Sequence, residues 1–291
     1  MSIAPERCRL VFQKLERDLD RLSAQPEAKK VHRFRTGVRR LQTLLEELCP
    51  ARDRNQKRLL KLLTRIRKKA GKVRDLDVQL AALQSLKFPQ EPRRKTQLMH
   101  QLIELRGQRE KKLSKALTRE AVREIHRRLK RARKDFNPDV NRDPLSVARQ
   151  ILEPIAKADG FPTEELMHQY RLLGKRARYA AEFASKSPES AQFIAQIERL
   201  QDALGDWHDW LTLTQSAAKR LGDVRESSLV AALHNVTGAK FRNAVTSLSA
   251  SHVAFPATRA PQTGQGGTRK RQSRTSEPAA SEPAASAPTA A

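Results

Sequence analysis

Apolar residues recur along most of the chain with the spacing of an amphipathic helix. In residues 31–48, one side of the predicted helix carries Phe34, Val38, Leu41, Leu45 and Leu48, at intervals of three and four. No stretch of useful length alternates with a period of two, and Leu, Ala, Arg, Lys, Gln and Glu dominate the composition. The pattern therefore predicts an all-α protein.

Prolines and a glycine divide this pattern into eight predicted helices. The predicted helices cover about residues 4–22, 31–48, 53–86 and 96–134 in a first half, and about 145–158, 163–184, 189–221 and 224–248 in a second half. Thr163 is a suitable N-cap for the sixth helix, and Gly222 ends the seventh. This gives four helices in residues 4–134 and four in residues 145–250.

The helix over residues 31–48 carries a basic row opposite its apolar stripe. His32, Arg35 and Arg39 follow one another on this face, with Gln42 and Glu46 further on, about 5–6 Å from one to the next. A row of this kind suits an extended polyanion better than a single small ligand.

The basic row occurs a second time. After 136 residues the same spacing returns as His168, Arg171, Lys175, Arg178 and Glu182. A second pair of segments repeats after 134 residues, with Gly71 matching Gly205, Arg65 matching Arg199 and Asp75 matching Asp209. Two motifs that repeat in the same order predict an internal duplication, with two similar halves packed together.

The charge of the chain implies an anionic partner. The formal net charge is +26, and residues 251–291 account for only +3 of it, since they hold five basic and two acidic residues. An excess of this size indicates nucleic acid, an anionic membrane surface or an inorganic polyanion. Residues 251–291 are rich in Gly, Pro, Ser and Ala, and we expect them to be a disordered tail.

The sequence has neither a membrane-spanning run nor the apolar core of a signal peptide, so we expect a cytoplasmic protein. Cys8 and Cys49 are too few for a disulfide framework and are interpreted as small core residues. Trp207 and Trp210 lie near apolar positions and are also interpreted as core. The basic rows on the first and fourth helices are interpreted as solvated faces.

Catalytic and metal-binding motifs do not emerge from the sequence. The histidines lack partners at metal-ligand spacing, and the neighbouring cations would repel a metal ion. Asp75 and Asp209 have two interpretations, as general bases or as groups that orient nearby arginines through charge-assisted hydrogen bonds. Nothing else in the chain looks like a catalytic set, which favours the orienting role.

Four sequence blocks resemble the CHAD family, the conserved histidine α-helical domain. They are His32-x-x-Arg35-x-x-x-Arg39-Arg40-Leu41, Val73-Arg74-Asp75-Leu76-Asp77, His168-x-x-Arg171-x-x-x-Lys175-Arg176-x-Arg178-Tyr179, and the segment from Leu200 to Asp209. The resemblance covers about residues 4–250. It implies two four-helix bundles related by a pseudo-twofold axis, with a basic groove or pore at their junction that binds inorganic polyphosphate.

The resemblance also implies which residues bind. The residues expected to line the site are His32, Arg35, Arg39, Arg40, His168, Arg171, Lys175 and Arg178, and those expected to support it from the neighbouring helices are Arg65, Lys68, Lys69, Lys72 and Arg199. Departures from the repeat make the second half less basic, since Lys68 and Lys72 correspond to Asp202 and Asp206.

The chain lacks the Glu-x-Glu-x-Lys signature of a triphosphate-tunnel domain, so it resembles the stand-alone form of the family, which binds without hydrolysing. We therefore expect a non-enzymatic polyphosphate-binding protein without a metal or cofactor, located at polyphosphate granules in the cytoplasm. Two alternatives remain open. They are a nucleic-acid-binding protein that uses the same basic surface, and a metal-dependent phosphohydrolase that uses Asp75 or Asp209.

Overall fold

A computed structural model describes residues 2–49, 52–139, 141–157 and 162–254, with side chains up to residue 250. These residues form nine α-helices and no strand, which confirms the all-α prediction. The helices are α1 (Pro5–Ala24), α2 (Ala28–Glu47), α3 (Arg54–Ser85), α4 (Pro92–Ser114), α5 (Arg119–Lys134), α6 (Pro144–Ala156), α7 (Glu164–Ala181), α8 (Pro188–Leu221) and α9 (Ser228–Ala254). None of these helices is long and apolar enough to cross a membrane. Most of the tail predicted to be disordered lies outside the described residues.

Side-chain caps fix the starts of α3 and α7, two of the helices that carry the site. Asp53 accepts a hydrogen bond from the Gln56 amide at the start of α3. Thr163 caps α7 by accepting one from the Leu166 amide, as the sequence predicts. These caps satisfy backbone donors that a helix start otherwise leaves without partners. Gly222 ends α8 with a φ of 89°, a left-handed conformation that favours glycine.

The prediction of one long helix over residues 96–134 is wrong, because the structure has two helices there. α4 ends at Ser114, and α5 begins after Thr118, whose hydroxyl accepts a hydrogen bond from the Ala121 amide. The break contains neither proline nor glycine, so the sequence pattern did not reveal it. The first half therefore has five helices instead of four.

The helices of the two halves pack against each other in several places. α2 packs against α1 and α3 in the first half, and α7 packs against α6 and α8 in the second. Between the halves, α2 packs against α7, and α8 packs against α3 and α4. The larger hydrophobic core takes buried residues from both halves, and a smaller one lies between α3, α4, α8 and α9. The arrangement as two duplicated bundles remains a prediction.

Reciprocal ion pairs hold α2 beside α7. The Arg40 guanidinium on α2 donates two hydrogen bonds to Glu182 at the end of α7, at 2.6 and 3.1 Å. In the opposite direction, Arg176 on α7 donates to Glu47 on α2. Arg40 and Arg176 are equivalent residues in the 136-residue repeat. The same surfaces of the two histidine helices are thereby brought together, and their basic rows lie side by side.

Candidate functional site

A cavity of about 930 Å³ opens where α1, α2, α3, α7 and α8 meet. Its lining contains eleven lysines and arginines, one histidine and five aspartates. The basic residues are Lys14, Arg17, Arg21, His32, Arg33, Arg35, Arg39, Arg40, Arg74, Arg171, Lys175 and Arg178, and the acidic ones are Asp18, Asp75, Asp202, Asp206 and Asp209. The cavity is therefore strongly cationic.

The helical period places the two basic rows on the cavity walls. On α2, Phe34 and Val38 are buried in the core, and this turns Arg35 and Arg39 toward the cavity. On α7, Tyr170 and Ala177 are buried in the core, and this turns Arg171 and Lys175 toward the cavity in the same way. The rows around Arg35 and Arg171 thus face one shared cavity, the geometry that binding of a single chain requires.

Most of the residues expected to line the site do so, but His168 does not. Its ring packs against His208, with 4.9 Å between the ring centroids. Burial lowers the pKa of His208 to about 3 and also lowers that of His168, with Arg171 as the next cause for both. These imidazoles are accordingly neutral near pH 7, and the histidine of the second half supplies no cation to the cavity.

The residues expected to support the site from the neighbouring helices lie outside the cavity lining. Arg65, Lys68 and Lys72 are exposed on α3, and Lys69 is half-buried there. Arg199 is exposed on α8. The structure does not test their predicted part in polyphosphate binding.

Sequence reasoning missed several basic residues beside the site. Arg74 lines the cavity from α3. Burial, followed by the charges of Arg39 and Arg35, lowers the pKa of Arg67, which places this residue near the cavity. On α1, the row of Lys14, Arg17 and Arg21 is exposed, as interpreted, but it also lines the cavity. The spacing of this row, three and then four residues, matches that of the histidine helices and was the available signal.

The two central arginines lie beside aspartates without hydrogen-bonding to them. Arg35 Nη1 is 3.6 Å from Asp75 Oδ1, and Arg171 Nη2 is 3.8 Å from Asp209 Oδ1. The Nε atoms of both arginines are buried, and neither has a hydrogen-bond partner among the described residues. The predicted orientation by charge-assisted hydrogen bonds is therefore not seen, and attraction between the charges remains. The exposed donors of both guanidinium groups are available to an anion.

Arg40 and Arg178 are more fully engaged by the protein. Besides the Arg40 hydrogen bonds described above, Arg178 Nε lies 3.6 Å from Glu182 Oε1, and its Nη1 donates to Glu198 at 3.3 Å. The Cζ atoms of Arg40 and Arg178 lie 5.8 and 5.2 Å from the centre of the Tyr179 ring. This network orients both guanidinium groups at the cavity edge and leaves them fewer donors for a ligand.

Among the groups that line the cavity, Lys175 has a strongly lowered pKa. Burial, followed by the charges of Arg171 and Arg39, lowers its pKa to about 7, and Asp209 opposes this only in part. Burial is also the main cause that lowers the pKa of Arg35 and of Arg171, each of which faces other cations. The free cavity thus holds positive charge that its carboxylates do not balance. In the described part of the chain, no three His, Cys, Asp or Glu side chains cluster as metal ligands would.

Comparison with known proteins agrees with this fold. The CHAD domain family model matches residues 6–218. The chain belongs to the CHAD family. Its fold is similar to the crystal structure of the CHAD domain from the plant Ricinus communis, at 19% identity and a TM-score of 0.61, over 87% of this chain and 90% of that one. It is also similar to PptA from Streptomyces chartreusis, at 17% identity and a TM-score of 0.57, over 85% and 94%. The search of curated proteins found no match.

Proposed function

We propose that this CHAD protein binds inorganic polyphosphate in the cavity between α2 and α7, without hydrolysing it. The observation that carries the proposal is the meeting of two basic rows in one cavity whose positive charge is not balanced. A linear polyanion can contact both rows at once, whereas a small ligand would reach only part of either row. Membership of the CHAD family supports the choice of polyphosphate.

Arg35 and Arg171 are the central contacts in this proposal. Each guanidinium group has a buried Nε without a hydrogen-bond partner and a carboxylate no closer than 3.6 Å. A phosphate oxygen can accept hydrogen bonds from such a group, and hydrogen bonds to charged groups typically contribute about 1.5–3 kcal/mol each. Lys175 and Arg39 lie beside this pair and add charge.

The surroundings of the cavity carboxylates argue against a hydrolytic role for them. Asp75 and Asp209 each lie next to an arginine, and other cations surround them. A divalent metal ion placed there would be repelled by these cations. We extend the proposal to a cytoplasmic protein that associates with polyphosphate granules.

A binding titration with charge-matched variants tests the proposal. The double variant Arg35→Ala and Arg171→Ala removes two central cations, and the control Arg93→Ala and Lys112→Ala removes two exposed cations of α4. We expect the cavity double to weaken polyphosphate binding at least about tenfold more than the control, because a distant surface charge acts only through a screened field. Equal losses in the two doubles would show that the protein binds by bulk charge alone.

Two further measurements separate the proposal from its alternatives. Long-chain polyphosphate should displace single-stranded RNA of matched charge from the protein, whereas RNA should not displace polyphosphate. The opposite order would favour nucleic acid as the ligand of the cavity. Incubation of polyphosphate with the protein and a divalent metal should release no phosphate above a protein-free control, and release that Asp75→Asn or Asp209→Asn abolishes would establish a hydrolase.

A further inference from the structure

The exposed face of α3 carries a continuous row of cations outside the cavity. The row, which we call the α3 stripe, consists of Arg54, Arg58, Lys61, Arg65, Lys68 and Lys72, at alternating intervals of four and three residues. All six side chains are exposed. Eighteen residues of helix rise about 27 Å, so the stripe is a straight line of positive charge of that length.

The stripe has no acidic partners in the described structure. Residues 54–74 contain no Asp or Glu, and none of the six cations forms an ion pair with any described residue. Other basic helices differ in this respect. On α5, Arg127 and Arg128 both pair with Glu124, and Arg131 lies 3.6 Å from Asp135. The charge of the stripe is therefore left for a partner or for solvent.

The fold does not require this stripe. The 134-residue repeat matches its positions to others on α8, a helix of similar length. Those positions are Pro188, Gln192, Ala195, Arg199, Asp202 and Asp206, with one cation and two acids. Because the corresponding helix keeps its structure without such a row, the stripe of α3 is not a structural necessity.

The stripe faces away from the cavity. At about 100° per residue, Arg65, Lys68 and Lys72 lie roughly a third of the helix circumference from Arg74 and Val78, which line the cavity. None of the six cations belongs to the cavity lining. The stripe is thus a second cationic surface, separate from the proposed polyphosphate site.

We propose that the α3 stripe binds the sugar-phosphate backbone of double-stranded nucleic acid without reading its sequence. The length of the stripe corresponds to about eight base pairs at 3.4 Å each. The straight row suits a rigid polyanion of high charge density, which loses little conformational freedom on binding an open surface. An extended row of lysines and arginines neutralises phosphates and accounts for non-specific binding of this kind.

The residues around the stripe argue against two other partners. A helix that lies on a membrane inserts large apolar side chains, and the exposed large apolar residues of the structure lie outside α3. Single-stranded nucleic acid is held by aromatic side chains on which bases stack, and α3 contains no aromatic residue. Binding to a duplex backbone requires only positive charges, and the stripe provides them.

Duplex binding by charge-matched variants tests this proposal. The stripe triple Lys61→Gln, Arg65→Gln and Lys68→Gln keeps good helix formers at exposed positions. The control triple Arg93→Gln, Lys111→Gln and Lys112→Gln removes the same charge from exposed positions of α4. Each full-length protein is titrated into a labelled DNA duplex of about 16 base pairs, roughly twice the length of the stripe, at several salt concentrations. Circular dichroism checks the helix content, and a parallel titration measures polyphosphate binding.

We expect the stripe triple to bind the duplex at least about tenfold more weakly than the control triple. The slope of log affinity against log salt should fall by about 0.9 for each lost phosphate contact, or by about 2–3 in the stripe triple. Polyphosphate affinity should fall about equally in the two triples.

Equal duplex affinities of the two triples would overturn the proposal. A selective loss of polyphosphate affinity in the stripe triple, with duplex binding kept, would also overturn it, since the stripe would then extend the cavity. Because duplex binding is measured without polyphosphate, failure of the cavity proposal leaves this test intact.

Discussion

The guanidinium group of Arg35 lies over the bare backbone of Gly71. A Cβ added to Gly71 would lie 3.7 Å from Arg35 Nη2, whereas one added to the equivalent Gly205 would meet nothing within 4 Å. α3 therefore supports the central arginine of the first half closely, and α8 gives the second half no such support at the matching position. Gly71 therefore lies at a close approach between α3 and a cation of the site.

Replacing Gly71 separates helix stability from positioning of Arg35. In Gly71→Ala the new Cβ makes an ordinary contact, so we expect a gain of about 0.5–1 kcal/mol from helix propensity and unchanged polyphosphate binding. In Gly71→Leu the longer side chain must displace the Arg35 guanidinium, and binding should weaken several-fold. Gly107→Leu on α4, where nothing lies within 4 Å, is the control. Wild-type affinity in Gly71→Leu would contradict the central role of Arg35.

Lys175 should make polyphosphate binding depend on pH. Its pKa in the free protein is about 7, and an anion in the cavity stabilises the ammonium form and raises this pKa. Binding then takes up a proton above pH 7, so affinity should be greatest below pH 7 and fall as the pH rises toward 9. Titration calorimetry in buffers of different ionisation enthalpy measures the proton uptake. Lys175→Arg, which stays charged, should remove most of the pH dependence, and an unchanged profile in that variant would show that another group titrates.

The same lysine should destabilise the protein when no ligand is bound. Its pKa is about 7 in the folded protein against an ordinary value of 10.5, so the unfolded chain holds more protons between these values, and stability rises with pH across that window. Below pH 7 the buried ammonium opposes folding fully. We therefore expect Lys175→Met to raise the melting temperature at pH 6 by about 2–6 °C and to weaken polyphosphate binding. A lower melting temperature would show that the lysine stabilises the fold.

The aspartates of the cavity should weaken anion binding. Asp75 and Asp209 lie 3.6 and 3.8 Å from their arginines without hydrogen bonds, so their main effect on a polyanion is repulsion. We expect Asp75→Asn and Asp209→Asn each to strengthen polyphosphate binding by about two- to tenfold, the range of one charge interaction in a partly exposed site. Asp135→Asn, on an exposed residue beside α5, is the control. Weaker binding in either cavity variant would instead support an orienting role for that carboxylate.

The sequence predicted the helices well because their signals are local. The apolar period, the Thr163 cap and Gly222 act within a few residues, and the structure confirms each of them. The break between α4 and α5 was missed because Lys115–Thr118 contains neither proline nor glycine, and only the hydroxyl of Thr118 marks the new start. The basic rows of α2 and α7 face the cavity because apolar residues behind them fix their direction, with His168 as the exception.

The spacing of apolar residues along α3 could not predict which of its polar faces meets the cavity. This helix is polar on most of its circumference, so the apolar stripe identifies the core side but does not choose between Arg74 and Lys72 as cavity residues. The position of α2 and α7 decides the choice, and that is a tertiary contact. For the same reason, the α1 row of Lys14, Arg17 and Arg21 becomes part of a site only once α1 is placed beside α2.

The crowding of like charges in the cavity has a consequence for the lifetime of the protein in a cell. Burial, and then repulsion from neighbouring cations, lowers the pKa values of Arg35, Arg171 and Lys175 in the cavity. A polyanion that removes this repulsion and binds the folded cavity more tightly than the unfolded chain lowers the fraction of molecules open to proteases. Under the proposed function, the amount of this protein would follow the supply of polyphosphate without any change in its synthesis.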